Sequence, residues 1–419
     1  MMQRTQSDEE TPATLYLTRN GLMEPLGQSQ VLAYLRGLSR DFRISVVTFE
    51  KLEDLADVEG MARLREECAR FGIRWLPQRF RHRPKVVSPA LNMLHFAWLG
   101  LREVRGGARL IHARSYIPAA VALLLHQLTG VPFIFDMRAL WPEELITAGR
   151  LRRGSMMHRA ISWIERRCLA DAAAVVSLTE VAVKYLREIY PDELRGKVVH
   201  VIPTCADIDR FSPTPCTVVP RRYGCNGTVL SGWFSLDWLA TFYRAAAARD
   251  ATARFEVVTR DDAAIVKVRL VEEGVPRGRL EVYGVPSSQM PAVVQRQSVS
   301  VMFYANGAVS ELGRSPTRMA EVLGSGRPVV ANAGVGDVAR IVEHYRVGVL
   351  VRENSEAAIT EALDELEILL SDPGLASRCR RAAEEVFSLK AGTEAYRGIY
   401  RNLIESETLT SSPAQEARD

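Results

Sequence analysis

The chain predicts an α/β protein of two doubly wound domains facing each other across a cleft. Short apolar or β-branched runs alternate with amphipathic helical stretches twice along its 419 residues. That is the pattern of parallel sheets buried on both faces. Between the two alternations stands a proline-rich interruption, with Pro203, Pro213, Pro215 and Pro220 in 18 residues, which reads as an interdomain linker. The expected division is an N-terminal domain over 1–203, a C-terminal domain over 204–392, and a last helix with a polar tail over 393–419.

In the first half, strands are expected at Leu15–Thr18, Ile44–Phe49, Ile73–Leu76, Leu110–His112, Phe133–Asp136, Ala174–Ser177 and Val198–Ile202. Helices are expected at Gln28–Arg40, where Val31, Leu32, Leu35 and Leu38 share a face, and at Ser155–Asp171 and Glu180–Tyr190. The linker is read over Pro203–Gly227. Strands then follow at Thr228–Ser231, Phe255–Thr259, Leu280–Tyr283, Val299–Phe303, Val329–Ala331 and Gly348–Val351. The chain closes with helices at Ala357–Leu370, Leu375–Val386 and Thr393–Ile404 and a disordered tail from Glu405. Two such sheets bring their carboxyl ends together, the usual ligand site of open α/β folds.

A composition of 47% hydrophobic and 25% charged residues is that of an ordinary globular chain. The six cysteines form no C-x-x-C pair, so they read as reduced thiols in a cytoplasmic protein. The longest apolar stretch, around "PAAVALLLHQLTGVPFIF", is cut by His126, Gln127, Gly130 and Pro132 and reads as helix, turn and strand, with no membrane span. Charge is uneven. Residues 1–203 carry 29 Lys and Arg against 22 Asp and Glu, and residues 70–167 carry 17 against 5. This basic half is either a solvated surface or a face for an anionic partner. "RFRHRPKVVSPALNMLHFAWLGLREVRG" joins a basic run to an apolar helix, the composition of a membrane-surface element or of a core helix behind a basic loop.

The densest signal is "SPTRMAEVLGSGRPVVANAGVGD", Ser315 to Asp337. Ser315 is placed to cap a helix that Pro316 opens, with Gly324 or Gly326 ending it and Asp337 capping the next. Thr317 and Arg318 then lie in the first turn, where free N–H groups and the helix dipole favour an anion. Arg318 adds a fork for phosphate oxygens, and Glu321 on the same face suits hydroxyls. A nucleoside diphosphate fits this pairing. So does the plain alternative, an i,i+3 ion pair on a helix surface.

"NGLMEPLGQS" departs from a P-loop in its glycine spacing and has Gln28 where Lys is required, and no G-x-G-x-x-G follows a strand. What remains is a glycine loop that would bring the Gly27 N–H near a bound phosphate or sugar, or a plain strand–helix turn. "IHARSY" and "FDMRALWPEE" each follow a strand. His112, Arg114, Asp136 and Arg138 are therefore candidates for the cleft, with an acid placed to orient a reacting hydroxyl. His112 also reads as a core histidine, and Asp136–Arg138 as a structural pair. No recognisable nucleic-acid module is present, and no nucleic-acid partner is expected.

Together these segments resemble the GT-B glycosyltransferases of the large retaining family 4. The resemblance rests on "SPTRMAEVLGSGRPVVA", "VIPTCADIDRFSP", "NGLMEPLGQSQVLAYLRGLS" and "LIHARSYIPAAVA", which fall in the family's order over about residues 14–405. It implies two Rossmann-like domains, with the last helix crossing back onto the first. It also implies a nucleotide-sugar co-substrate, retention of configuration, no metal, and a glycan or lipid-linked acceptor in cell-surface polysaccharide or glycolipid synthesis. The enzyme would be cytoplasmic, with a possible anionic membrane partner.

Glu321 matches the second acid of the family's E-x7-E pair. The first acid would stand at 313, where this chain has Gly313, with Glu311 two residues short. The family's basic pair after the first strand of the second domain is also missing from "GTVLSGWFSLDW". Arg318, with Arg260 at the next strand end, is expected to take over the diphosphate. These departures leave a non-catalytic GT-B binding subunit as the alternative.

Overall fold

The computed structural model describes residues 11–79, 88–213 and 220–411. The basic run Arg81, His82, Arg83 and Lys85 lies outside the described residues, as do Pro215 in the linker and the tail from residue 412.

Two parallel sheets organise the chain. The first contains β1 (Ala13–Thr18), β2 (Arg43–Glu50), β3 (Arg74–Arg79), β4 (Ala108–Arg114), β5 (Phe133–Asp136), β6 (Ala174–Ser177) and β7 (Val199–Val201), in the order β3-β2-β1-β4-β5-β6-β7. The second contains β8 (Arg222–Asn226), β9 (Arg254–Val258), β10 (Leu280–Tyr283), β11 (Val299–Met302), β12 (Val329–Asn332) and β13 (Gly348–Val351), in the order β10-β9-β8-β11-β12-β13. Every pairing is parallel, and both orders reverse beside the first strand. Each sheet is covered on both faces by helices, which is why most of its strands are apolar.

The second domain opens on a strand the sequence hides. "RYGCN" forms β8, inside the segment read as linker, whereas Thr228–Ser231 is irregular and bent. The polar residues of β8 are matched below the sheet. Arg222 pairs with buried Glu256 and with Glu281, each at 3.2 Å. Asn226 and Gln297 exchange amide hydrogen bonds of 2.9 and 3.0 Å. Gly224 is glycine because a Cβ there would lie 2.0 Å from the Gln297 side chain. The apolar look of "TVL" misleads because its backbone bonds a carboxylate instead of a strand: Asp261 accepts from Val229 N at 2.6 Å and Leu230 N at 2.9 Å. The linker proper is short, since Ala206, Ile208 and Phe211 already pack into the second domain's core.

The last helix, Leu389–Ser411, starts four residues before its expected position and runs on into the stretch read as tail. It lies across the first domain. Tyr396, Ile399, Tyr400 and Ile404 enter that domain's core, and Arg397 donates to Asp41 and to the Gly37 carbonyl, both at 2.7 Å.

The domains meet along a seam. Thr179 donates to the Leu312 carbonyl, and the Thr147 and Ser310 hydroxyls are 3.1 Å apart. Asp337 does not cap its own helix with its side chain. Its carboxylate accepts from Glu180 N at 2.9 Å and Val181 N at 3.3 Å, the front of helix Glu180–Ile189 in the other domain. Position 313 is glycine for a seam reason as well. A Cβ there would sit 3.0 Å from Leu140 N. Gly313→Glu is therefore expected to force the domains apart. A larger radius of gyration by small-angle scattering, with a lower unfolding temperature, is the expected result; an unchanged radius would contradict it.

Candidate functional site

The register of the first sheet assembles its acceptor-side candidates. Tyr16 pairs with His112 and that with Ile134; one step on, Thr18 pairs with Arg114 and that with Asp136. Residues two apart share a face, so Tyr16, His112, Arg114 and Asp136 stand together at the carboxyl end of β1, β4 and β5. The last helix covers that face.

Asp136 is the centre of the group, with no exposed surface. One carboxylate oxygen lies 3.1 Å from the Tyr396 hydroxyl, which donates to it, 3.3 Å from His112 Nε2 and 3.5 Å from Arg114. The other lies 3.7 Å from Arg138, in ion-pair reach but not hydrogen-bonded. Burial by itself would raise the carboxyl's pKa; Arg138, the His112 hydrogen bond and Arg114 outweigh it and hold it at about 2. His112 bonds Tyr400 through its other nitrogen at 2.8 Å and packs on Tyr16, with ring centroids 4.3 Å apart. Burial holds its pKa below the ordinary value against the pull of Asp136.

His112 and Asp136 therefore have no open face toward a substrate. Both stand as the plainer reading of each expected, His112 as a core histidine and Asp136 in ion-pair reach of Arg138. Arg114 is also buried, while Arg138 keeps an exposed edge. With His112 neutral, two guanidiniums against one carboxylate leave net positive charge here. Arg138 at φ 61° and Ser115 at φ 75° sit in backbone conformations unfavourable for their residue types, on the adjoining strand ends. Such strain clusters at functional sites.

In the glycine loop, Glu50 at the end of β2 accepts from Leu22 N at 2.9 Å and Met23 N at 3.2 Å. The helix begins at Pro25, earlier than Gln28, so Gly27 lies in its first turn. A Cβ on Gly27 would stand 1.9 Å from the Gly21 carbonyl oxygen, so close packing accounts for the glycine.

In the second domain the helix Thr317–Gly324 begins after Pro316. Ser315 does not cap it; its hydroxyl accepts from Thr204 N at 3.1 Å, across to the linker. Gly326, at φ 71°, supplies the left-handed turn after the helix. Arg318 is ion-paired with Glu321, the plain arrangement expected of that spacing. Its side chain also lies along the loop after β8, since a Cβ on Gly227 would be 3.9 Å from Arg318 Nε. Arg318 thus lies beside the loop that carries no basic residue of its own. Arg260 is exposed beside this loop with no partner among the described residues, while Asp261 and Asp262 are used locally.

The sequence reading missed a further group. Glu311, buried at the seam, bonds Arg314 through both oxygens, and Arg314 stacks over Trp233 at 4.8 Å. The i,i+3 spacing of Glu311 and Arg314 was the available signal.

Residues 27–204 match the family model described as glycosyl transferase 4-like domain. No curated protein matches the chain in sequence. Among solved structures, sucrose-phosphate synthase from Thermosynechococcus elongatus is 15% identical, with a TM-score of 0.67 over 94% of this chain and 100% of that one. HepE from Anabaena, solved in complex with UDP-glucose, is 17% identical, with a TM-score of 0.63 over 95% and 99%. WaaG, a glycosyltransferase involved in lipopolysaccharide biosynthesis, is 13% identical, with a TM-score of 0.60 over 92% and 99%. At these identities the likeness establishes the fold, the two-domain GT-B arrangement.

The buried charge group predicts a pH response. A carboxyl held at about 2 when folded, against about 3.9 unfolded, contributes stability that is fully present above about pH 4 and lost as pH falls toward 2. His112 adds to the loss below about pH 6.5, because the unfolded chain takes up a proton there before the folded one does. Asp136→Asn should cost about 3–5 kcal/mol at pH 7, through uncompensated guanidiniums, and flatten the dependence below pH 4. Urea midpoints at pH 7, 5 and 3.5 test this. Parallel curves for both proteins would refute the assignment.

Proposed function

We propose that the protein is a nucleotide-sugar-dependent glycosyltransferase acting with retention on a glycan or lipid-linked acceptor in cell-surface polysaccharide or glycolipid synthesis. The observation that carries the reading is the placement of Arg318 at the front of helix Thr317–Gly324, beside the Gly227 loop and one turn before Glu321. A diphosphate would compete for the Arg318 guanidinium and take the first-turn N–H groups of Thr317 and Arg318. Glu321, released, would accept from ribose hydroxyls. Arg260 would lend a second positive charge from the adjoining strand end. Fixed positive charge of this kind stabilises a departing diphosphate without reorganisation. On the other wall, Arg138 and the charge behind it would orient the acceptor, with Asp136 and His112 as positioning residues.

A second reading, nucleotide binding without turnover, draws on one observation: position 313, where the resemblance expects an acid, is closed by Leu140. The test is thermal stabilisation by UDP, GDP, ADP and CMP. One nucleotide at a hundred times its Kd should add about 2.7 kcal/mol, and Arg318→Ala should abolish the shift. Failure of all four on folded protein would end the donor-site proposal. A shift without any release of nucleotide from the sugar conjugate would favour the second reading.

Peripheral membrane association belongs to the same proposal. Among the described residues no helix is long and apolar enough to cross a membrane. Helix Ser88–Arg105 nevertheless exposes Leu91, Leu94 and Trp98, with Arg102 against the Trp98 ring. Such a face suits an anionic interface. Sedimentation with phosphatidylglycerol vesicles should fall at least several-fold in a Leu94→Glu, Trp98→Glu double variant; equal sedimentation would refute it.

A further inference from the structure

The first domain holds a cavity of about 480 Å³ that the proposed reaction does not use, and of its lining Leu140 also meets Gly313 at the seam. It lies among helices Trp141–Thr147, Met156–Asp171 and Glu180–Ile189. Its size is within the usual range for small-molecule pockets, roughly 300–1,000 Å³.

The interior and the rim differ in chemistry. Leu140, Pro142, Leu186 and Ile189 give apolar walls. At the base Glu165 is buried, and its two oxygens accept hydrogen bonds from the Tyr116 and Tyr190 hydroxyls, the former at 2.7 Å. No cation pairs with this carboxylate among the described residues, so the depth of the cavity disfavours a second anion. The rim is cationic. Arg153 is matched by Glu143 and Arg166 by Glu193, but Arg159 has no partner among the described residues. Trp163 on the lining is 61% exposed, and Met156 and Met157, just before His158 and Arg159, are 88% and 64% exposed. Met156 and Trp163 stand one turn to either side of unpaired Arg159 on one helix face, and two large apolar side chains left in water there mark a surface fit for a ligand.

We propose that this cavity binds an anionic amphiphile, a single phosphate or carboxylate headgroup on an alkyl or isoprenoid chain. The headgroup sits on Arg159 at the rim, where a guanidinium can grip two of its oxygens. The chain enters between Leu186 and Ile189, and Trp163, with Met156 two turns before it on the same helix face, covers its outer part. Occupancy does not depend on the donor-site reading, because no lining residue belongs to the Arg318 site.

The probe is decyl phosphate, kept below its micelle concentration and added to the full-length protein, with binding followed by calorimetry. Inorganic phosphate and decanol are the comparison ligands. Decyl phosphate should bind at least ten-fold more tightly than either. Arg159→Glu, on an exposed side chain, should weaken it ten-fold or more, and Ile189→Trp, which fills the cavity, should abolish it. Both variants should keep the wild-type nucleotide-induced thermal shift, whatever that shift is. The proposal is overturned if decyl phosphate fails to bind folded protein, if inorganic phosphate binds equally well, or if neither substitution changes binding.

Discussion

One carboxylate without solvent contact ties the first domain together. Asp136 ends the interior strand β5, and its neighbours come from β4, from the turn after β5, and from the last helix of the chain. A buried charge is tolerated only when surrounded by partners. Two guanidiniums, an imidazole and a tyrosine hydroxyl meet that demand. The consequence is mechanical. Tyr396 and Tyr400 cannot leave without stranding Asp136 and His112, so the returning helix is held on the first domain, and the strand ends keep their orientation toward the cleft.

The same economy of space governs the seam. Gly313 admits the Leu140 backbone, and Asp337 supplies acceptors to a helix front in the opposite domain. Val309 and Leu312 also pack on the first domain's core, so the seam carries apolar as well as polar contact. The donor-side candidates Arg318 and Glu321 stand just beyond this seam, so the closeness of the domains sets what can enter beside them.

The strand–helix alternation was legible because sheets buried on both faces demand apolar strands, and twelve of the thirteen strands fall where that pattern put them. The exception, β8, shows the limit of the rule. Its arginine, glycine and asparagine are matched by Glu256, Glu281 and Gln297, all distant in sequence. Asp261 meanwhile converts an apolar stretch into a bend. Local composition carries no record of such distant partners.

The site divides in the same way. The sequence by itself determined the fold class and the placing of Arg318 and Glu321 within pairing distance, because these follow from periodicity and from spacing along one helix. Only the tertiary structure decided that His112 and Asp136 lie behind the cleft, that Asp337 and Ser315 bond outside their own helices, and that Gly313 and Gly27 are glycines for close packing. Those outcomes depend on what another strand or domain places within a few ångströms, and burial and hydrogen-bond partners are properties of that approach.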